Sequence, residues 1–126
     1  MAIIKSYTDV SQSKKLAEIL PLESADMMWT YDFTVDDING INVISEFLKL
    51  EEKDVPAWSL AALLNILNSI DGWYPGIDAQ VGKDNLWRIC MFSYEIGCDI
   101  STAATNKELV DTCYEVILKL KEKNLL

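Results

Sequence analysis

The stretch Asp54-Val55-Pro56-Ala57-Trp58-Ser59-Leu60-Ala61-Ala62-Leu63-Leu64-Asn65-Ile66-Leu67 decides the fold class. Leu60, Leu63, Leu64 and Leu67 recur at i, i+3, i+4 and i+7, and Ile66 and Ile70 widen the stripe. This is the spacing of one face of an α-helix. Polar atoms are confined to Ser59, Asn65, Asn68 and Ser69, so the helix is predicted to lie largely buried across a sheet. Pro56 is read as part of its first turn, where a missing N–H costs little. Asp71-Gly72 supplies the stop, because glycine takes the left-handed cap geometry freely.

Upstream lies the clearest strand pattern. Met27, Trp29, Tyr31 and Phe33 alternate with Met28, Thr30 and Asp32. Trp29 and Tyr31 are expected in the core between sheet and helix. Val35 to Gly40 reads as a turn, with Asn39-Gly40 as its positive-φ pair. Ile41 to Leu48 reads as the returning strand, although Ile44, Phe47 and Leu48 also fit helical spacing, and both readings stand. Glu51 to Asp54 is a solvated connection. Before all of this, Asp9 to Leu20 forms a first helix with Ser13, Leu16, Ala17 and Leu20 on one face. Thr8 or Asp9 caps it, and Pro21 ends it.

Downstream, Trp73-Tyr74-Pro75-Gly76 is read as a loop. Ile77, Ala79 and Val81 alternate with polar residues, and Gly82-Lys83-Asp84-Asn85 is a turn. The run Leu86 to Tyr94 completes a second hairpin. Trp87, Ile89 and Met91 share one face, while Leu86, Arg88, Cys90, Phe92 and Tyr94 share the other. A strand apolar on both faces is expected to be central or covered on both sides. Thr105-x-x-Glu108 has capping-box spacing. The helix after it carries Leu109, Cys113, Val116, Ile117 and Leu120 and runs to about Lys123. The expected fold is therefore α+β: a mostly antiparallel sheet of about four strands with helices packed on it, in the order α-β-β-α-β-β-α. Residues 1–126 form one compact domain.

Composition excludes several functions. The 126 residues contain no histidine, and Arg88 is the only arginine. His-dependent triads and His-ligated zinc are ruled out. Twenty Asp and Glu against eleven Lys and Arg give a net charge of −9. Phosphate binding needs clustered cations, so nucleic acid is not an expected partner. Lys119, Lys121 and Lys123 complement the dipole at a helix end. The acidic surface is read as a solubility device, with mimicry of nucleic acid as an alternative. Half the residues are hydrophobic, enough for a core without staples. Cys90, Cys98 and Cys113 are an odd count without metal-type spacing. Reduced thiols in a cytoplasm fit them, with Cys98 the most exposed. Met1-Ala2-Ile3-Ile4-Lys5-Ser6 has no signal-peptide core, and no apolar run approaches a membrane span.

Three constellations invite chemistry. Asp37, Asn39, Gly40 and Glu46 sit at positions 3, 5, 6 and 12 of a calcium-loop pattern. Val35 occupies the first position, where an oxygen ligand is required. A divalent ion at Asp36, Asp37, Asn39 and Glu46 is the weaker alternative to a plain hairpin loop. Trp73 and Tyr74 supply the rigid contact area of a partner-binding loop, although Trp73 is expected to fold back over the buried helix. Arg88, on a sheet face, needs a carboxylate or a ligand, and a structural ion pair is the expectation. No phosphate loop and no G-x-S-x-G elbow occurs.

Gln12-Ser13-Lys14-Lys15-Leu16, Ser24-Ala25-Asp26-Met27-Met28-Trp29 and Val55-Pro56-Ala57-Trp58-Ser59-Leu60-Ala61-Ala62-Leu63-Leu64 carry a resemblance. So does Val110-Asp111-Thr112-Cys113-Tyr114-Glu115, through Asn124-Leu125-Leu126. Together they resemble a family of small proteins of unassigned activity from gut anaerobes and their prophages and other mobile elements. The resemblance implies a compact cytoplasmic domain in a mobile-element setting and transfers no mechanism. The functional expectation is a non-catalytic interaction or modulator protein without cofactor, using Trp73, Tyr74 and Arg88 against another protein. Homodimerisation is left open, and a carboxylate- or metal-dependent enzyme is the alternative.

Overall fold

Val55-Pro56-Ala57 is a strand rather than the opening of a helix. The computed structural model describes residues 4–80 and 85–126. Its elements run α1 (Val10–Ala17), β1 (Met27–Asp32), β2 (Asp37–Val43), β3 (Val55–Ala57), α2 (Leu60–Leu67), β4 (Trp73–Gln80), β5 (Leu86–Ser93), β6 (Gly97–Asn106) and α3 (Leu109–Glu122). A 3-10 turn at Leu22–Ser24 leads into β1. The fold is α+β, but the strands form two three-stranded antiparallel sheets, ordered β2-β1-β3 and β4-β5-β6. The expected single sheet of about four strands is corrected in this respect. No helix among the described residues is long and apolar enough to cross a membrane.

Proline explains the early strand. Its ring pushes Val55 into extended geometry, and β3 is an edge strand, where a missing N–H is tolerated. Pro56 lies across from Met28. The helix therefore starts only at Leu60. Ser59 caps it by accepting the Ala62 N–H at 3.2 Å. Asp9 caps α1 through a capping box, accepting the Gln12 N–H at 2.8 Å while the Gln12 side chain accepts the Asp9 N–H at 3.1 Å.

The first hairpin turns earlier than its Asn-Gly pair suggested. The strands separate after Asp32, whose carboxylate accepts the Thr34 N–H and hydroxyl at 2.8 and 2.6 Å. Asn39 and Gly40 lie within β2, together opposite Thr30, because the register passes from Trp29–Ile41 to Tyr31–Ile38. Gly40, at φ +97°, serves a β-bulge instead of the turn. β2 ends at Val43, so Ile41–Val43 is strand and Ile44–Leu48 is neither strand nor helix. The expected turn at Gly82-Lys83-Asp84, and Val81 before it, lie outside the described residues, as do Met1 to Ile3 of the opening segment.

The second sheet begins at Trp73, so the expected aromatic loop is strand. Residues Trp73 to Gln80 pair without a break with Ser93 to Leu86. β6 is an additional strand. Its register jumps from Ala104, opposite Ile89, to Asp99, opposite Met91. The buried Thr102 hydroxyl accepts the Met91 N–H at 2.9 Å and so supplies the ladder bond that the bulge removes. Thr105 belongs to β6, opposite Arg88, and is not a helix cap. Glu108 precedes α3 without a side-chain capping bond. Its carboxylate accepts the Lys5 N–H at 3.2 Å instead.

The core lies between the helices and one face of the second sheet. Leu16 and Leu20, Leu63, Ile66 and Leu67 meet Val110, Cys113, Val116, Ile117 and Leu120 over Ile89, Met91 and Ala104. Trp58, 0% exposed, is its aromatic centre. Trp29 and Tyr31, expected in the core, are only half-buried, and Phe33 is exposed. They lie on the smaller first sheet, outside the core cluster.

A polar knot ties the two halves of the chain. Thr8 and Trp58 exchange backbone and hydroxyl bonds, with Thr8 N–H to Trp58 O at 3.0 Å and Trp58 N–H to Thr8 Oγ1 at 3.1 Å. The Thr8 hydroxyl bonds that of Ser13 at 2.7 Å. Trp58 Nε1 donates to Ser24 Oγ at 2.9 Å, and Asp26 accepts the Ser59 N–H at 2.8 Å and its hydroxyl. Three of the segments that carry the resemblance meet here. Every buried polar side-chain atom among the described residues is satisfied.

Candidate functional site: an aromatic sheet face

Alternation along β4 and β5 divides the second sheet into two faces. Ile89 and Met91 point to the core. The opposite face presents Tyr74, Gly76 and Asp78 across from Phe92, Cys90 and Arg88. β5 is central, as expected, but the face it shares with Phe92 is turned away from α3. The Tyr74 and Phe92 rings stack at 5.5 Å and 16°. Tyr94, just beyond β5, lies 5.2 Å from Tyr74 and is 85% exposed. Gly76 makes this packing possible, since a Cβ there would stand 2.2 Å from Phe92 Cε2. The result is a row of three rings over backbone, with water on the outer side.

The three residues singled out for partner binding are separated. Tyr74 belongs to the row. Trp73, its neighbour, points to the other side and packs against the core cluster, as the burial of aromatics led one to expect. Arg88 shares the face of Tyr74 but stands four residues further along than Phe92, roughly 13 Å away at about 3.3 Å per residue. Asp78 is its cross-strand neighbour. Even so, no carboxylate of the described residues lies within ion-pair distance of the guanidinium. Sequence reasoning placed Phe92 and Tyr94 together on one face of a strand expected to be central or covered on both sides, and the first alternative is the one found. The alternation was a sufficient signal for their grouping. Nothing local marks which face the helices leave bare.

Cys90 and Cys98 are joined by a disulfide, with Cα atoms 6.5 Å apart. This corrects the expectation of three reduced thiols; Cys98 is exposed, as expected, but it is bonded to Cys90. Sequence spacing of eight hides the proximity that β5–β6 pairing creates. Cys113 is free and buried. Burial pushes its thiol up to about 12, which leaves it inert as a nucleophile.

The weaker metal alternative has its residues spread along a hairpin. Asp36 sits at φ +53° in the turn, Asp37 and Asn39 lie in β2, and Glu46 follows the strand. The Asp37 carboxylate accepts the Ile38 N–H at 2.8 Å, and Asn39 Nδ2 donates to Asp32 at 3.2 Å. Among the described residues no three His, Cys, Asp or Glu side chains are grouped to hold a metal ion. A cleft of about 470 Å³ runs beside β1 between Met28, Thr30, Phe33 and Leu48. Lys53 lies over the Tyr31 and Phe33 rings there, at 4.6 and 5.4 Å. This arrangement offers stacking and an apolar wall.

Lys5 joins the N-terminal segment to both α1 and α3, through Asp9 at 3.1 Å and Asp111 at 2.7 Å. Partial burial works against its charge, but the bonds it donates to the two carboxylates outweigh that and raise the ammonium above its ordinary value. Gln12 Nε2 also donates to Asp111, at 2.7 Å. The cluster is a clasp of paired groups. No protein-family model, no curated protein and no solved structure matches this chain.

Proposed function

We propose that the chain is a non-catalytic interaction domain that meets another protein through the Tyr74–Phe92–Tyr94 face of its second sheet. The exposed ring row carries the reading: Tyr94 is 85% exposed, yet held by Tyr74. Aromatic residues at low conformational cost are the usual anchors of protein interfaces. Arg88 on the same face adds a further anchor type. A mobile-element modulator of a cytoplasmic target is the wider form of the proposal and rests on the sequence resemblance. The Cys90–Cys98 bridge pulls the other way, towards an oxidising compartment.

A random peptide display library selected on the immobilised chain tests the reading. Enriched peptides are expected to bind at least tenfold more weakly to Tyr74→Ser/Tyr94→Ser, while that variant keeps its melting temperature. Equal binding to both proteins removes the face as a site.

A further inference from the structure

The ring row ends at a hollow, and the hollow points to the chemistry of the partner. It has a volume of about 380 Å³ and lies where the turn into β4 meets the turn between β5 and β6. Asp71 and Glu95 line it beside Trp73, Tyr94 and Ile96. Both carboxylates belong to exposed residues, and no cation of the described residues is within ion-pair distance of either. The Ser93 hydroxyl accepts the N–H groups of Glu95 and Ile96 at 3.1 and 3.0 Å, which fixes the turn that presents them.

We propose that the partner docks a basic segment on this face, with an arginine or lysine side chain entering the hollow beside Tyr94. This rests on the interaction reading above. Two carboxylates answer the charge, and an aromatic face attracts a cation laid over it. Trp73 and Ile96 give an apolar wall for the methylene stem. The net charge of −9 draws a basic segment in from a distance. The same charge disfavours a second copy of this chain on the face, because two such surfaces repel.

The test titrates the full chain with an octapeptide alternating Arg and Gly, followed by calorimetry and by the amide shifts of Glu95 and Ile96. Octapeptides alternating Leu with Ser and Glu with Gly serve as comparisons. The Arg peptide is expected to bind, to weaken at least tenfold in 0.5 M salt, and to shift the Glu95 and Ile96 amides. Asp71→Asn/Glu95→Gln should cost at least fivefold, and Tyr74→Ser/Tyr94→Ser at least as much. If the Leu peptide binds as well as the Arg peptide, and only the tyrosine variant loses it, the basic partner is overturned while the interaction face stands. Arg-peptide binding indifferent to both variants overturns the site. So does a dimer that the tyrosine variant dissolves, or the absence of heat from every peptide.

Discussion

A methyl group on Gly76 would meet Cε2 and Cδ2 of Phe92 at 2.2 and 2.8 Å. The contact is with the body of an aromatic ring that is itself stacked on Tyr74. Gly76→Ala must therefore swing that ring away or bend the strand. Overpacking of this kind costs about 1–3 kcal/mol. Urea unfolding should show a loss of that size, and the near-ultraviolet circular dichroism should fall as the stack opens. A variant with unchanged stability and spectrum would show that Phe92 is not held over Gly76. Cys113 gives the second residue-scale prediction. Its thiol, raised to about 12 by burial, should resist an aromatic disulfide reagent at pH 8 and react at once in guanidinium. Modification of the folded chain within minutes would contradict its burial.

At the scale of elements, α2 depends on a junction outside its own stripe. Ser59 accepts the Ala62 N–H and donates to Asp26, while Asp26 also accepts the Ser59 N–H. Ser59→Ala removes a cap, about 1 kcal/mol alone, and takes one partner from the Asp26 carboxylate. Asp26→Ala removes the other half of the same junction. The double variant should lose measurably less than the sum of the two, a coupling of about 0.5–3 kcal/mol in chemical denaturation. Strict additivity would show that the junction does not act as a unit. The stripe of α2 was legible because Leu60, Leu63, Leu64 and Leu67 agree in period over about two turns; its start was not, because β3 is three residues long and too short to show alternation. β6 escaped notice for a related reason. Its bulge between Asp99 and Ala104 breaks the period of two, and small residues such as Ala103 and Ala104 carry little pattern of their own. Pro75 made Trp73–Gly76 read as loop, although an edge strand accommodates proline. The site followed the same logic. Arg88, Phe92 and Tyr94 fell on one face by alternation, but exposure of that face depends on where α3 packs, which no local pattern specifies.

The whole molecule is acidic and lacks histidine, and this shapes its stability against pH. The chain lacks histidine, the side chain whose ordinary charge change falls between pH 5.5 and 8.5. The melting temperature should hold within about 2 °C across that interval. On the acid side three carboxyls matter. For Asp9, desolvation opposes the shift, but the Gln12 N–H and Lys5 outweigh it and hold the carboxyl below 3.8. Hydrogen bonds from Thr34 lower Asp32, and those from Ser101 lower Asp99. A folded-state value below the unfolded one means stability that is present above pH 3.8 and lost as the pH falls through the lowered values. Lys5 acts in the opposite sense: its raised value gives stability present below pH 10.5 and lost as the pH rises past the folded value. Thermal melts should thus show a plateau with one decline below about pH 4 and another above about pH 10.5. Self-repulsion adds a second, separable effect. At pH 7.5 the net charge of −9 destabilises the compact state, so 0.15 M sodium chloride should raise the melting temperature by screening it. Near the sequence pI of about 4.3 the repulsion is gone and the same salt should have little effect. A salt response equal at both pH values would mean that the acidic surface is already neutralised by local pairing, leaving no long-range field to draw a basic segment to the ring row.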